Sequence, residues 1–219
     1  SDTDFSIQGN DIRFGLSSIK GISEKTMEKL KLFKSEQSSK FEVFQAAKEV
    51  GISIGVLSAL IQAGALEGFK QTRAKVVYEA QLWNTLTEKE KRHCINYGAG
   101  FDYDLVKTMR YVCEKVDEKG KLLIKPSRVE TIKGKSQKYA EIYDKNKKSE
   151  KFANWFYENK LLGYTYGSNL KDIVMDQSDV ILEMIDDINN LPENYEVRFI
   201  GRLQDDSETR TSKAGNKYM

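Results

Sequence analysis

Two prolines, two cysteines and one histidine among 219 residues exclude several kinds of protein at once. Proline and glycine are too scarce for a collagenous chain, and hydrophobic residues at 39% with charged residues at 31% do not make a disordered composition. Cys94 and Cys113 have no C-x-x-C or Cys/His spacing. Neither a disulfide scaffold nor a zinc site is expected, and His93 reads as a surface histidine beside an ordinary thiol. So few cysteines suit a reducing, cytoplasmic setting. No apolar run approaches the roughly 20 residues of a bilayer span, and the opening SDTDFS has no basic flank or apolar leader core. Charge is abundant but balanced, with a net of +2. Its distribution is uneven, because residues 121–151 hold 10 basic against 4 acidic side chains and residues 152–209 hold 4 against 12. Such asymmetry suits a chain with one module that faces a polyanion.

The hydrophobic pattern predicts a mainly α fold with a small N-terminal β-hairpin. Phe5, Ile7, Ile12 and Phe14 alternate about Gly9-Asn10, a hairpin over residues 4–14. Leu16 and Ile19 precede a break at Gly21, after which Met27, Leu30 and Phe33 take helical spacing behind Ser23 as a cap. Phe41, Phe44, Ala47 and Val50 form the next helix, ended by Gly51, and Ser53 is placed to cap a helix with Leu57, Leu60 and Ile61. After Ala63-Gly64-Ala65 a further helix from near Gly68 carries Val76, Val77, Ala80 and Trp83, and a later one Leu105, Met109, Val112 and Val116. Residues 118–148 are lysine-rich and read as an exposed connector. Phe152, Trp155 and Phe156 then share a helix face that Gly163 closes, Ser178 can cap a helix leaving at Pro192, and residues 195–203 alternate as a strand. The chain lacks an initial Met and stops at Lys217-Tyr218-Met219 as a strand pattern begins, so it reads as a segment of something longer.

The segment Leu16-Ser17-Ser18-Ile19-Lys20-Gly21-Ile22-Ser23, followed by Lys25 and Lys29, resembles a helix-hairpin-helix element. Glycine permits close backbone approach, the amides at the second helix's start form a positive dipole end, and lysines add attraction that is blind to sequence. Leu60-Ile61-Gln62-Ala63-Gly64-Ala65-Leu66 before Lys70 and Arg73 reads as a second copy. The candidate DNA contacts are therefore Lys20, Gly21, Ile22, Ser23, Lys25, Lys29, Ala63, Gly64, Ala65, Lys70 and Arg73, directed at phosphates rather than base edges. About four neutralised phosphates would give a slope near −3.6 for log affinity against log salt. The carboxylate pairs Asp102/Asp104, Asp186/Asp187 and Asp205/Asp206 read as a helix start, a solvated face and a strand exit rather than as metal-holding catalytic groups.

These hairpins, with Tyr157-Glu158-Asn159-Lys160-Leu161-Leu162-Gly163-Tyr164 and the strand pattern at 195–203 and 211–219, resemble in order and spacing the family C replicative DNA polymerases, the polymerase III alpha type of bacteria and phages. The resemblance implies a tandem helix-hairpin-helix region at 1–85, a helical extension and basic connector at 86–165, and a linker helix with the first strands of a truncated OB-fold at 166–219. It implies a non-catalytic duplex-DNA-binding module of a nucleotidyltransferase whose Mg2+ chemistry lies elsewhere in the parent chain. This fragment would need no cofactor of its own. Duplex DNA would be its partner, with a sliding clamp and other replisome proteins as further partners and no membrane. Ser23 stands where such hairpins often have a second glycine, and Asn169-Leu170 where the family linker has His-Pro. A stand-alone helix-hairpin-helix DNA-binding or repair protein and a replisome interaction scaffold are the alternatives.

Overall fold

The alternation about Gly9 forms a hairpin in which β1 (Ser6–Gln8) pairs antiparallel with β2 (Asp11–Arg13), Ile7 opposite Ile12 and Gly9 at φ +63° in the turn. The computed structural model describes residues 4–32, 37–66, 69, 71–176, 190–198, 200–201, 210–211 and 217–218. It divides into two units, Ser1–Gly167 and Ser168–Met219.

Short polar side chains set where the helices of the first unit begin. Ser23 accepts from the Thr26 amide at the head of α1 (Glu24–Leu30), Ser39 from Glu42 at α2 (Lys40–Glu49), and Ser53 from Val56 at α3 (Ile54–Gln62). Thr72 caps α4 (Arg73–Thr85), Thr87 caps α5 (Glu88–Gly98) within a capping box completed by Glu90, and Asp104 caps α6 (Leu105–Glu114). Each such cap satisfies an amide that the first helical turn leaves without a partner, and contributes about 1 kcal/mol. Two longer helices follow, α7 (Pro126–Asn146), entered through a proline that needs no amide partner, and α8 (Glu150–Leu162), closed by Gly163 at φ +81°.

Helix α4 lies at the centre and packs on α3, α6, α7 and α8. The main core gathers Phe41, Phe44, Leu57, Ile61, Val76, Trp83, Leu105, Val112 and Ile132. Phe41 stacks on Trp83 at 5.1 Å between ring centroids, and a Cβ on Gly98 would stand 2.6 Å from the Phe41 ring, so only glycine allows that approach. Each fully buried large apolar side chain contributes about 1.5–3 kcal/mol. A smaller cluster of Ile19, Leu60 and Ala63, flanked by Leu16, Ile22, Leu161 and Leu162, fastens the Gly21 turn to α3 and α8.

The span 118–148 is not a connector for most of its length, since 126–146 is helical. Its inward face holds Val129, Ile132 and Ser136 against the core, Tyr143 stacks on Tyr78 at 5.3 Å, and Arg128 grips Glu90 at 2.7 Å. Only Ile132 and Ser136 are buried along this helix, and lysines crowd its outer face, which is why no apolar period was legible. The helix expected from near Gly68 begins at Arg73, and Val116 lies beyond α6, half exposed.

In the second unit Asn169 caps α9 (Leu170–Met175), and β3 (Arg210–Thr211) pairs antiparallel with β4 (Lys217–Tyr218). The strand expected at 195–203 is absent from its described residues, 195–198 and 200–201, which belong to no ladder. The helix expected after Ser178 lies outside the described residues. A two-stranded ladder is the sheet described in this unit, and an OB-fold barrel is not shown. Among the described residues no helix is long and apolar enough to cross a membrane.

Candidate nucleic-acid interface

The first hairpin starts as a 3-10 turn at Leu16–Ser18, held by the Ser18 hydroxyl donating to the Gly15 carbonyl at 2.7 Å. Ile19 buries its side chain, the Lys20 amide donates to the Leu161 carbonyl at 2.8 Å, and the Ile22 amide closes the bend on the Ile19 carbonyl at 3.0 Å. Gly21 has φ +91°, a conformation that other residues adopt only with strain, and the space beyond its α-carbon is open. Lys20, Gly21, Ser23 and Lys25 are exposed, with Ile22 and Lys29 half-buried. Among the described residues the amides of Gly21, Ser23, Glu24 and Lys25 have no protein acceptor.

A second Gly-Ile-Ser bend lies between α2 and α3. The Gly51 amide donates to the Lys48 carbonyl at 3.0 Å and the Ile52 amide to the Ala47 carbonyl at 2.8 Å, Gly51 has φ +73°, Ile52 is buried and Ser53 caps α3. Gly51-Ile52-Ser53 thus repeats Gly21-Ile22-Ser23 in residue type and in role: a left-handed glycine, an apolar anchor and a serine cap. Sequence reasoning assigned Ser53 its cap but no function; the signal was the identical triplet. Lys29 joins the two bends, its ammonium donating to the Gly51 carbonyl at 2.6 Å. Ser23, the cap of α1, and Lys29 within it stand six residues apart, about 9 Å along the helix axis.

The expected second hairpin at Ala63-Gly64-Ala65 is a helix end instead. The Ala63, Gly64 and Ala65 amides donate to the carbonyls of Ala59, Ile61 and Leu60, which closes α3 as the Gly51 and Ile52 amides close α2, but no capped helix start follows at once as Ser53 does there, and α4 begins only at Arg73. Tyr166 covers the bend, its hydroxyl donating to the Ala63 carbonyl at 3.1 Å, and a side chain on Gly64 would collide with that hydroxyl. Arg73 is tied up in the same place. It donates to Glu158 at 2.6 Å, to the Tyr166 hydroxyl at 2.6 Å and to the Gln62 carbonyl at 3.4 Å, while Glu158 also accepts from the Tyr166 and Gly167 amides. With Arg73 only 11% and Glu158 only 1% exposed, this pair locks α4 to α8. Lys70 lies outside the described residues.

Several other titratable groups are tied into the fold. Lys40 and Glu79 form a buried pair, in which burial pushes the lysine down and the carboxyl up, each partly offset by the other. Glu79 also accepts from the Leu105 amide at 3.0 Å. Asp104 is occupied by its cap and by Lys75; burial raises it, but hydrogen bonds from Lys75 and the Lys107 amide leave it below the usual carboxylate range. Asp102, at φ +50°, belongs to the turn before α6, and the Asp186/Asp187 and Asp205/Asp206 pairs lie outside the described residues. Burial pushes the Cys94 thiol up to about 12, and among the described residues no cluster of His, Cys, Asp and Glu could hold a metal ion.

A family model described as the helix-hairpin-helix motif matches residues 1–76, which take in the β-hairpin, both Gly-Ile-Ser bends and the first turn of α4. No curated protein matches the chain. No solved structure matches it either.

Proposed function

We propose that the chain binds duplex DNA through its phosphates, without reading sequence, at the Gly21 and Gly51 bends. The observation that carries this is the repetition of one Gly-Ile-Ser construction within the matched helix-hairpin-helix region, joined by Lys29, with unsatisfied amides and exposed lysines at the first bend. Amides at a helix start and lysine ammoniums suit phosphate oxygens and carry no base information. Lys20, Lys25 and Lys29 are the cations at this surface, Arg73 being committed to Glu158. Three phosphates rather than four would then be neutralised, and the salt slope would be about −2.7.

The finer reading is a non-catalytic module of a family C replicative polymerase, supported by the ordered resemblances along residues 12–22, 60–66 and 157–164 and near the chain's end. In that setting catalysis and Mg2+ belong to other parts of the polymerase, a truncated OB-fold follows this region, and a sliding clamp and other replisome proteins are partners of the whole. A stand-alone helix-hairpin-helix protein is supported equally by the limit of the family match, which stops at residue 76. Upstream coding sequence separates the two: a palm carboxylate set favours the polymerase. For the binding itself, fluorescence anisotropy with two duplexes of unrelated sequence should give equal affinities and the stated slope. A slope near zero, or a strong preference for one duplex, rejects it.

A further inference from the structure

The outward face of α8 is aromatic where a solvated helix would be polar. Phe152 and Phe156, four residues apart and therefore on one ridge, are each 43% exposed. Trp155 stacks on Phe152 at 5.7 Å with 26° between the ring planes, and Lys160, one further turn along, places its ammonium 6.0 Å from the Phe156 ring centre. Along α8 no carboxylate shares this ridge: helical spacing turns Glu150 away from Phe152 and Phe156, and Glu158 is buried beneath Arg73. The ridge runs to the end of α8 that carries the first hairpin, since Leu161 accepts the Lys20 amide. Lys148 lies at its other end, exposed.

We infer that this ridge is a stacking platform for single-stranded nucleic acid, on which unpaired bases lie against Phe152, Trp155 and Phe156 while Lys148 and Lys160 meet the flanking phosphates. The inference rests on the nucleic-acid reading above and extends it from a duplex held at the bends to a strand leaving that duplex across α8. Two observations choose this occupant over an apolar protein surface. Lysines flank the rings and along α8 no acid does, which favours a polyanion, and the platform is continuous with the hairpin proposed to hold phosphates. Aromatic faces stack on any base, so no sequence preference is needed.

The whole chain titrated with a single-stranded oligothymidylate is expected to lose Trp155 fluorescence. Trp83 is 2% exposed and will not respond, so Trp155→Phe should abolish the signal. Phe152→Ala with Phe156→Ala should weaken single-strand affinity about tenfold or more and leave duplex affinity nearly unchanged. Lys160→Glu, which alters charge without touching the core, should weaken single-strand binding on its own. Unquenched Trp155, or single-strand affinity unchanged in the double alanine variant, overturns the platform even if duplex binding is intact. Self-association in sedimentation that the double variant abolishes also overturns it, by assigning the face to a second copy of the chain. Duplex binding lost in Lys20 and Lys25 variants with oligothymidylate quenching retained supports the platform independently of the bends. Duplex binding that is absent while quenching persists refutes the hairpin proposal alone.

Discussion

Arg73 illustrates how a cation near a bend becomes structural once a buried carboxylate reaches it. Arg73→Ala strands Glu158, and removing one partner of a buried pair costs about 3–5 kcal/mol. The urea midpoint should therefore fall strongly, while the salt slope of DNA binding in folded protein stays where it was; a slope lowered by one phosphate would instead make Arg73 a contact. Glu90 and Asp104 govern the response to acid. Burial raises Glu90, but hydrogen bonds from Arg128 and the Thr87 amide leave it below the usual carboxylate range, as Lys75 and Lys107 do for Asp104. Both are held lower folded than unfolded, so their stabilisation is fully present above about pH 4.5 and is lost as pH falls through their depressed values. Glu90→Gln and Asp104→Asn should each flatten the acid limb of stability against pH. Lys20 and Gly21 were legible as exposed residues of a bend, whereas the partners of Arg73 and the cover over Gly64 were not, because Glu158 and Tyr166 lie more than 80 residues away.

At the scale of elements, the Gly51 and Gly64 bends close their helices with the same amide pattern, and the difference is that Ser53 starts α3 directly after the first whereas Tyr166 covers the second. Ser23→Ala and Ser53→Ala should each cost about 1 kcal/mol of stability, measured by urea denaturation, by removing a cap. Lys20→Ala and Lys25→Ala act otherwise: each should leave stability within about 0.5 kcal/mol, while shallowing the salt slope by about 0.9. Unchanged slopes would place the duplex elsewhere. The helix starts were legible because serine, threonine and aspartate caps act over three residues. Helix α7 was not, because its inner stripe relies on a serine and tyrosines whose burial depends on α4.

For the molecule as a whole, the matched region and the folding region differ in extent. Residues 1–76 contain Phe41, Phe44 and Leu57 but omit Trp83, Leu105, Val112, Ile124 and Ile132, all in the same core. Expressed alone, 1–76 should show no cooperative unfolding, since much of the apolar surface that offsets chain entropy is missing. Ser1–Gly167, which holds that core entire, should unfold cooperatively in urea and keep the duplex salt slope. Circular dichroism of the two fragments checks this, and a cooperative transition for 1–76 would show that the bends fold without the helices packed around them.

Local chemistry is enough to determine what depends on neighbours a few residues apart: the strand hairpin, the capped helix starts, the left-handed glycines and the helix-hairpin-helix character of the first bend. Long-range packing alone decided which bend Tyr166 covers, that Arg73 serves Glu158, that a lysine-rich stretch becomes the long helix α7, and that Phe152 and Phe156 remain outside. The reason is physical. Caps and turns are satisfied within one helical turn, whereas burial and ion pairing depend on which distant element fills the space.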